Sequence, residues 1–449
     1  MKPRAGLIRC SLAAILAAAS LQAGDFRLMD AVKRRDIKAV ATLMAQHADV
    51  DAAAPDGGTA LGWAVYLDLQ DVAEKLIAAG AKVNTVGEYG ETPLTLALAN
   101  GNAALSEKLI KAGADPKVAR WNGETALMIA AGSGSLPEVR MLVELGADVN
   151  AAEQRKQQTA LMWAAAEGHE DVVEYLIQKG ANVKAATRTG YTPLIFATLK
   201  NDPALVKRLL AAGANPNDAL PDQTKALTLA TANKSIAAAV ALVEGGAQPN
   251  VSDRTGTTPL HTAAQAGSLE LVKALIAHGA NVNVHSNKTT GVGFRITPGE
   301  QTPLLLAARA DHAEVMRTLI QAGADTKAKA QDGATLLLAA AASGRADAIQ
   351  CAFEFDKDVL AKTSTGATAM HAVVSGGVAA VATQDEMVEA VQYLADIGVP
   401  LDEVDGRGRT PIQVGDIIPL DKPIQRMADI IVSRGGKPRA FPKEYVKPK

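Results

Sequence analysis

Aromatic side chains are scarce in this sequence. Trp, Tyr and Phe together make up 3% of the 449 residues, although 48% of the chain is hydrophobic. Ala and Leu supply most of that apolar mass, which favours helices over sheets. Charge of one sign is lacking too. The 46 Lys and Arg and 48 Asp and Glu leave a net −2, so there is no global pull toward nucleic acid. Cysteine is nearly absent, with only Cys10 and Cys351. No Pro/Ser-rich linker divides the chain, yet 449 residues are too many for one core of ordinary size.

The anchor-like segment stands at the start. "MKPRAGLIRC" carries Lys2, Arg4 and Arg9, and "SLAAILAAASLQA" is then uncharged, small and apolar. This is the layout of a secretory signal, and the run is too short to span a membrane as a mature helix. Residues 1–23 are expected to be a signal peptide, cleaved after Ala23 or after Ser20; an uncleaved N-terminal anchor is the alternative. Cys10 lacks the small preceding residues of a lipoprotein signal. Cleavage would take the net charge from −2 to about −5 with the loss of those three cations. It would leave Cys351 alone, so no intramolecular disulfide could form and packing must hold the fold.

What the chain has in abundance is itself. "GTTPLHTAAQAGSLELVKALIAHGANVN" (Gly256 to Asn283) is echoed by "GETPLTLALANGNAALSEKLIKAGADPK" from Gly90 and "GYTPLIFATLKNDPALVKRLLAAGANPN" from Gly190. A threonine recurs at 59, 92, 125, 159, 192, 258, 302, 335, 368 and 410, with Lys225 in its place once. The steps are 33, 33, 34, 33, 33, 33, 44, 33, 33 and 42 residues.

Each letter of the unit has a mechanical reading. The threonine hydroxyl caps a helix, and Pro93, Pro193, Pro259 or Pro303 follows at the first helical position, where its missing N–H costs nothing. "L-x-x-A-A" gives a short inner helix with a small-residue side. A turn at Gly101, Gly168 or Gly267 reverses the chain, and a second helix follows with apolar positions at i, i+3, i+4 and i+7. It ends at a glycine suited to a left-handed cap: Gly80, Gly113, Gly146, Gly180, Gly213, Gly246, Gly279 or Gly323. "ANVN"-type residues then lead into a projecting turn. The extra residue of the 34-residue step is assigned to "GSGS" (Gly132 to Ser135), at the turn between helices.

The "TPLH-x-A-A" start and "GA-D/N-V-N" exit closely resemble the ankyrin repeat family across residues 25 to 437. The resemblance implies an all-α ankyrin-repeat solenoid of about twelve helix–turn–helix units with projecting β-turn fingers. Residues 25–55 would be the N-terminal cap, 56–405 the inner repeats with inserts near 284–299 and 374–386, and 406–437 the C-terminal cap. A basic tail, 438–449, follows. The family's fold implies a stacked binding scaffold and no particular ligand.

Catalytic and cofactor motifs are not found. There is no phosphate-loop lysine motif and no "HExxH". "GSGS" lacks nucleophile-elbow spacing, and "GVG" (Gly291 to Gly293) lacks the strand and helix of a dinucleotide site. His261, His371 and His169 occupy repeat positions that read as structural. His278 and His285 flank a projecting turn without a third ligand. Cys351 sits on an apolar second helix and reads as a buried small hydrophobe. No catalytic, cofactor or metal site is expected.

Aromatics on the turns are the better signal. Trp63 and Trp163, four residues after a unit threonine, read as packing. Trp121, Tyr89, Tyr66 and Tyr191 fall where, by the resemblance, repeats line their concave side, and they are candidate anchors for a partner. Arg155, Lys156, Arg188 and Arg254 are fingertip candidates for an acidic peptide or an anionic surface, with a solvated face as the alternative. The 44-residue step holds "VHSNKTTGVGFRITPG", polar and glycine-rich, with Lys288, Phe294 and Arg295 as candidate contacts and "VGFRIT" set to pair with "NVNVHS" as a hairpin. A neutral insertion is the alternative. The second break, "VSGGVAAVATQDE" (Val374 to Glu386), lies between the helices of one unit.

The expectation is a periplasmic or secreted monomer that binds a partner protein, without catalysis, nucleic acid or, after signal cleavage, membrane. The alternatives are an exported effector bound to a eukaryotic host protein and an accessory subunit of an envelope enzyme.

Overall fold

The computed structural model describes residues 25–289, 298–376, 383–415 and 422–437. Among the described residues no strand occurs; three isolated β-bridges are the only extended pairings. The described helices come in twelve pairs. The first six are α1 (Arg27–Lys33) with α2 (Ile37–Ala45), α3 (Ala60–Tyr66) with α4 (Gln70–Ala78), α5 (Pro93–Ala99) with α6 (Ala103–Lys111), α7 (Ala126–Ser133) with α8 (Leu136–Glu144), α9 (Ala160–Glu167) with α10 (Glu170–Gln178), and α11 (Pro193–Leu199) with α12 (Pro203–Ala211). The rest are α13 (Ala226–Ala232) with α14 (Ile236–Glu244), α15 (Pro259–Gln265) with α16 (Leu269–Ala277), α17 (Pro303–Arg309) with α18 (Ala313–Gln321), α19 (Leu336–Ala341) with α20 (Ala346–Phe355), α21 (Ala369–Gly376) with α22 (Gln384–Asp396), and α23 (Pro411–Gly415) with α24 (Lys422–Ser433). None of the described helices is long and apolar enough to cross a membrane.

The described residues fall into two compact halves. Those up to Lys200, with Arg208–Asn215, form the N-terminal half; Asn201–Lys207, with those from Pro216 on, form the C-terminal half. Within each half, inner helices pack on their neighbours along the chain, as α7 on α9 and α15 on α17, and on outer helices of their own pair, as α9 on α10 and α17 on α18. The contact is close because Ala and Leu fill it. Ala126, Leu127, Ala130 and Ala131 of α7 and Ala160, Leu161, Ala164 and Ala165 of α9 are all buried.

Local chemistry sets the ends of each pair. The hydroxyls of Thr59, Thr92, Thr125, Thr159, Thr192 and Thr302 each accept the backbone N–H three residues on, which supplies a partner to one of the helix's orphan donors. Lys225 starts α13 without a side-chain cap. Outer helices end in left-handed glycines. At Gly180 (φ 86°) nothing lies where a Cβ would sit, so the requirement is conformational. At Gly134 (φ 77°) a Cβ would also meet the His169 ring at 2.6 Å. That ring bonds the Gly132 carbonyl through Nε2 at 3.0 Å and so ties the turn of one pair to the inner helix of the pair before. α20 lacks the glycine exit; Asp356 follows it in extended backbone, and its carboxylate accepts the Leu337 N–H at 3.0 Å.

The asparagine of the "ANVN" exit is a staple between consecutive pairs. Asn150 donates from its side chain to the Gly180 carbonyl (3.1 Å) and accepts the Asn182 N–H (2.8 Å). Asn84, Asn250 and Asn283 do the same to Gly113 and Asp115, Gly279 and Asn281, and Gly323 and Asp325.

In the last but one pair, Val374 is buried within α21, and Thr383 and Glu386 form the capping box of α22. Only the middle of the expected insert there, residues 377–382, lies outside the described residues. α22 itself runs to 13 residues where most outer helices have nine.

Candidate protein-binding surface

Each projecting turn closes on itself and on its neighbours. In the turn Thr187–Tyr191 the Thr187 N–H donates to the Tyr191 carbonyl (2.9 Å) and the Gly190 N–H to the Thr187 carbonyl (2.9 Å). A second set of backbone bonds runs from finger to finger. Gln154 N–H donates to Asn122, Arg188 to Lys156, Asn287 to Thr255, Gln331 to Gly299, Ser364 to Asp332, and Gly406 to Thr365. In an ordinary finger the residue that donates backward and the one that accepts from ahead are adjacent, as Gln331 and Asp332 or Ser364 and Thr365.

Two fingers depart from this spacing, both between the donor and the acceptor. Gln154 and Lys156 are separated by Arg155, so the extra residue of the 34-residue step sits at a fingertip, not at "GSGS" as the sequence suggested. The reason is visible in α7, which ends at Ser133 with Gly134 as an ordinary left-handed cap and needs no added residue. Asn287 and Gly299 are separated in sequence by eleven residues, 288–298, and the ladder continues through both. The neck is firm: Ser286 N–H donates to the Gln301 carbonyl at 2.9 Å, and the Gln331 carboxamide accepts from the Thr289 and Gly299 N–H groups. Lys288 is exposed, 3.5 Å from Glu300. Phe294, Arg295 and the "VGFRIT" part of the expected hairpin lie outside the described residues.

The longer fingertip of the N-terminal half is held from within. Glu153 is 4% exposed, and its carboxylate accepts the N–H groups of Arg155 (2.6 Å), Lys156 (2.6 Å) and Gln158 (3.1 Å). Burial pushes this carboxyl up, but those three N–H bonds and the Lys156 charge more than offset it, and it sits below the ordinary carboxylate range. Glu153 therefore holds the backbone, and Arg155 and Lys156 point their charges outward, both exposed.

Two grooves run between fingers and inner helices in this half, and Arg120 lines both. The first, about 480 Å³, is aromatic: Trp63, Tyr66 and Tyr89 line it, over Gly58, Pro93 and Leu96, with Asp56, Glu88 and Glu91 around them. Tyr66 is 59% exposed and stands edge-on to Trp63, ring centres 5.5 Å apart. Tyr89 and Trp121 are each 66% exposed at neighbouring fingertips, and the Trp121 indole lies against Gly90. Lys33 already sits over the Trp63 ring, at 4.7 Å. The second groove, about 570 Å³, is lined by Trp163, Arg155, Lys156, Ser133, Glu167 and others. Arg120 is partly neutralised by Glu124 at 3.1 Å.

The structure therefore brings together Tyr66, Tyr89 and Trp121 at one place and Arg155, Lys156 and Arg188 at another. Arg188 bonds the Gln154 carbonyl through its guanidinium (3.0 Å) and the Lys156 carbonyl through its N–H (2.9 Å). Tyr191 is half-buried with its ring 5.7 Å from Phe196, so it is a wall residue and not an exposed anchor. Arg254 belongs to the C-terminal half, where it is exposed and faces Asp222 at 3.7 Å. Sequence reasoning missed the groove roles of Trp63, Trp163 and Arg120 and the acids of the first two fingers. The phase of the tryptophans, four residues past a threonine, was the signal available for them.

Other polar groups are engaged by the fold. His261 accepts the Thr258 N–H at Nδ1 (3.1 Å), so Nε2 carries the proton donated to the Gln301 carbonyl (2.9 Å). His371 is held the same way between Thr368 and the Arg409 carbonyl. His278 bonds the Ala274 carbonyl and His285 the Glu300 carbonyl. Cys351 is buried, which pushes its thiol up. No group of three or more His, Cys, Asp or Glu is placed to hold a metal among the described residues.

Compared with known families, the chain matches the model for ankyrin repeats (3 copies) in overlapping segments at 28–120, 68–153, 97–187, 151–219, 194–286 and 227–330. No curated protein matches the sequence.

Proposed function

The chain belongs to the ankyrin repeat family, and on that premise we propose that it is a non-catalytic scaffold, acting outside the cytoplasm, whose N-terminal half binds a partner protein along the face of its fingers and inner helices. Ankyrin repeats are generally protein–protein interaction modules. The observation that carries this reading is a group of exposed aromatics in a chain otherwise poor in rings: Tyr66 and Tyr89 line one groove, and Trp121 stands at the next fingertip against Gly90. Rigid aromatics beside a pocket are the usual anchors of protein interfaces. A non-catalytic role is supported by His261, His371 and Cys351, whose polar atoms are taken up by neighbouring groups or burial.

A photo-reactive amino acid in place of Trp121 should cross-link to a protein in envelope extract, and one in place of Lys75 on the exposed side of α4 should not. Tyr89→Ala and Trp121→Ala should each weaken capture of that protein by about 1–3 kcal/mol. Equal cross-linking from both positions would sink the reading. Export is supported by the charge-then-apolar start of the sequence, with mature protein expected to begin near Gly24. N-terminal sequencing that finds Met1 on membrane-bound protein would overturn it.

A further inference from the structure

Read finger by finger, the N-terminal half changes sign. The first two fingertips carry Asp56 and Glu88, with Glu91 at the base of the second. The third carries Trp121 and Asn122 above the Arg120–Glu124 pair (3.1 Å). The fourth and fifth carry Arg155, Lys156 and Arg188. Glu153, the acid of the fourth finger, spends its oxygens on backbone N–H groups and lies buried. Glu153 and Glu167 offset two of the three cations at that end, and Lys33 behind Trp63 offsets one acid at the other. An acidic aromatic end and a basic end therefore remain, joined through Arg120.

Resting on the scaffold reading above, we propose that this surface binds an extended segment of a partner protein carrying both signs of charge in a fixed order. A cationic side chain is held among Tyr66, Tyr89 and Glu88, and carboxylates are held at Arg155, Lys156 and Arg188. The aromatic end suits a cation on two counts, ring faces and nearby carboxylates. Lys33 over Trp63 shows the same pairing within the chain. Fingers repeat about every 10 Å, the spacing of packed helices, so the second and fourth fingertips are separated by about 20 Å. An extended chain covers that in about six residues. A partner of one charge sign would gain at one end and be repelled at the other.

The test uses the full chain and blocked synthetic peptides, read by tryptophan fluorescence, since Trp63, Trp121 and Trp163 all lie in this half. The peptide of interest has two arginines, six uncharged residues including a leucine, and two glutamates. It should bind at least about tenfold tighter than the all-arginine or all-glutamate version, and tighter than one with a three-residue spacer, and it should weaken with salt. Glu88→Lys should impair the mixed and all-arginine peptides and spare the all-glutamate one; Arg155→Glu should do the reverse. Circular dichroism checks that both variants fold. Equal binding of the single-sign peptides, or indifference to either charge reversal, overturns the fixed order. If that binding is still lost in Trp121→Ala, the scaffold reading stands without it. Cross-linking of a protein at residue 121 with no peptide bound would overturn recognition of a linear mixed-charge segment and leave the scaffold reading intact.

Discussion

The two halves are built from one repeat, yet they spend their side chains differently. In the N-terminal half Tyr66, Tyr89 and Trp121 stand exposed beside a groove, and fingertip charges of both signs face solvent. In the C-terminal half the described fingers bond within themselves and to one another. Thr255 binds Asp253 (2.7 Å) and Thr257 (2.8 Å), Thr363 binds Thr365 (2.9 Å), and Arg409 folds onto Asp405 (2.7 Å). His261 and His371 tie helix starts to the bases of following fingers. Among the described residues of this half, the only aromatic ring in the set of exposed large apolar side chains is Phe355, 36% exposed at the end of α20. A repeat position can thus serve the stack or face a partner, and only the identity of its side chain decides which.

The largest effect should come from breaking each core separately. Leu161 and Leu304 are each 1% exposed, on α9 and α17. A buried aspartate in either place should cost about 3–5 kcal/mol. Because the tryptophans report the N-terminal half alone, Leu161→Asp should lower the fluorescence midpoint in a denaturant titration. Leu304→Asp should lower part of the circular dichroism transition and leave fluorescence nearly in place, as nearest-neighbour coupling requires. Superposed single transitions in both variants would mean that the halves unfold as one.

Most of the fold was legible in the sequence. Thr59 through Thr410 set the phase, the glycines marked the helix exits, and both follow from local rules that need no tertiary information. The placement of the extra residue in the fourth finger was not legible, because it depends on the bonds between fingers, which pair residues 32 positions apart there, as Gln154 with Asn122. Half of the candidate site was legible. Tyr89 and Trp121 stood out as rings on polar turns. Asp56, Glu88 and Glu91 looked like ordinary solvated turn residues, and only their position around one groove gives them a common role. Tyr191 is half-buried with its ring against Phe196, one turn into the next helix, a placement that spacing alone does not give.

Smaller effects should separate the halves by pH. Glu138 of α8 is fully buried; burial pushes its carboxyl above the ordinary 4.5, against hydrogen bonds from Ser106 (2.6 Å) and Ser135. A raised folded value means that its contribution is complete below the unfolded pKa and is lost as pH rises through the folded one. Glu138→Gln should therefore raise the fluorescence midpoint at pH 8, by about 1 kcal/mol, and leave it unchanged near pH 4. Burial pushes His261 and His371 below 6.5, against the Gln301 and Arg409 carbonyls. Their contribution is present above 6.5 and lost as pH falls through the lowered values. The circular dichroism midpoint of the C-terminal half should drop from pH 7.5 to 5, and His261→Gln with His371→Gln should flatten that slope. A slope unchanged in the double variant would assign the acid sensitivity to other groups.

The smallest effect concerns the two long fingers, one in each half. Deleting Arg155 puts Gln154 beside Lys156, and deleting residues 288–298 puts Asn287 beside Gly299, the spacing of Gln331 and Asp332 in an unmodified finger. Both deletions leave every donor and acceptor of the finger ladder in place. The second also removes Thr289, whose bonds to Gln331 are exposed. Shortening an exposed loop changes closure entropy by less than about 1 kcal/mol, so each deletion should shift its own half's midpoint by no more than that. Binding should separate them. Arg155 faces the groove, so its deletion should weaken the mixed-charge peptide, whereas the 288–298 deletion should leave that peptide unaffected. A loss of several kcal/mol of stability on removing 288–298 would make the segment a brace of the C-terminal half. Weaker capture of the cross-linked partner on its removal, with stability kept, would extend the binding surface into that half.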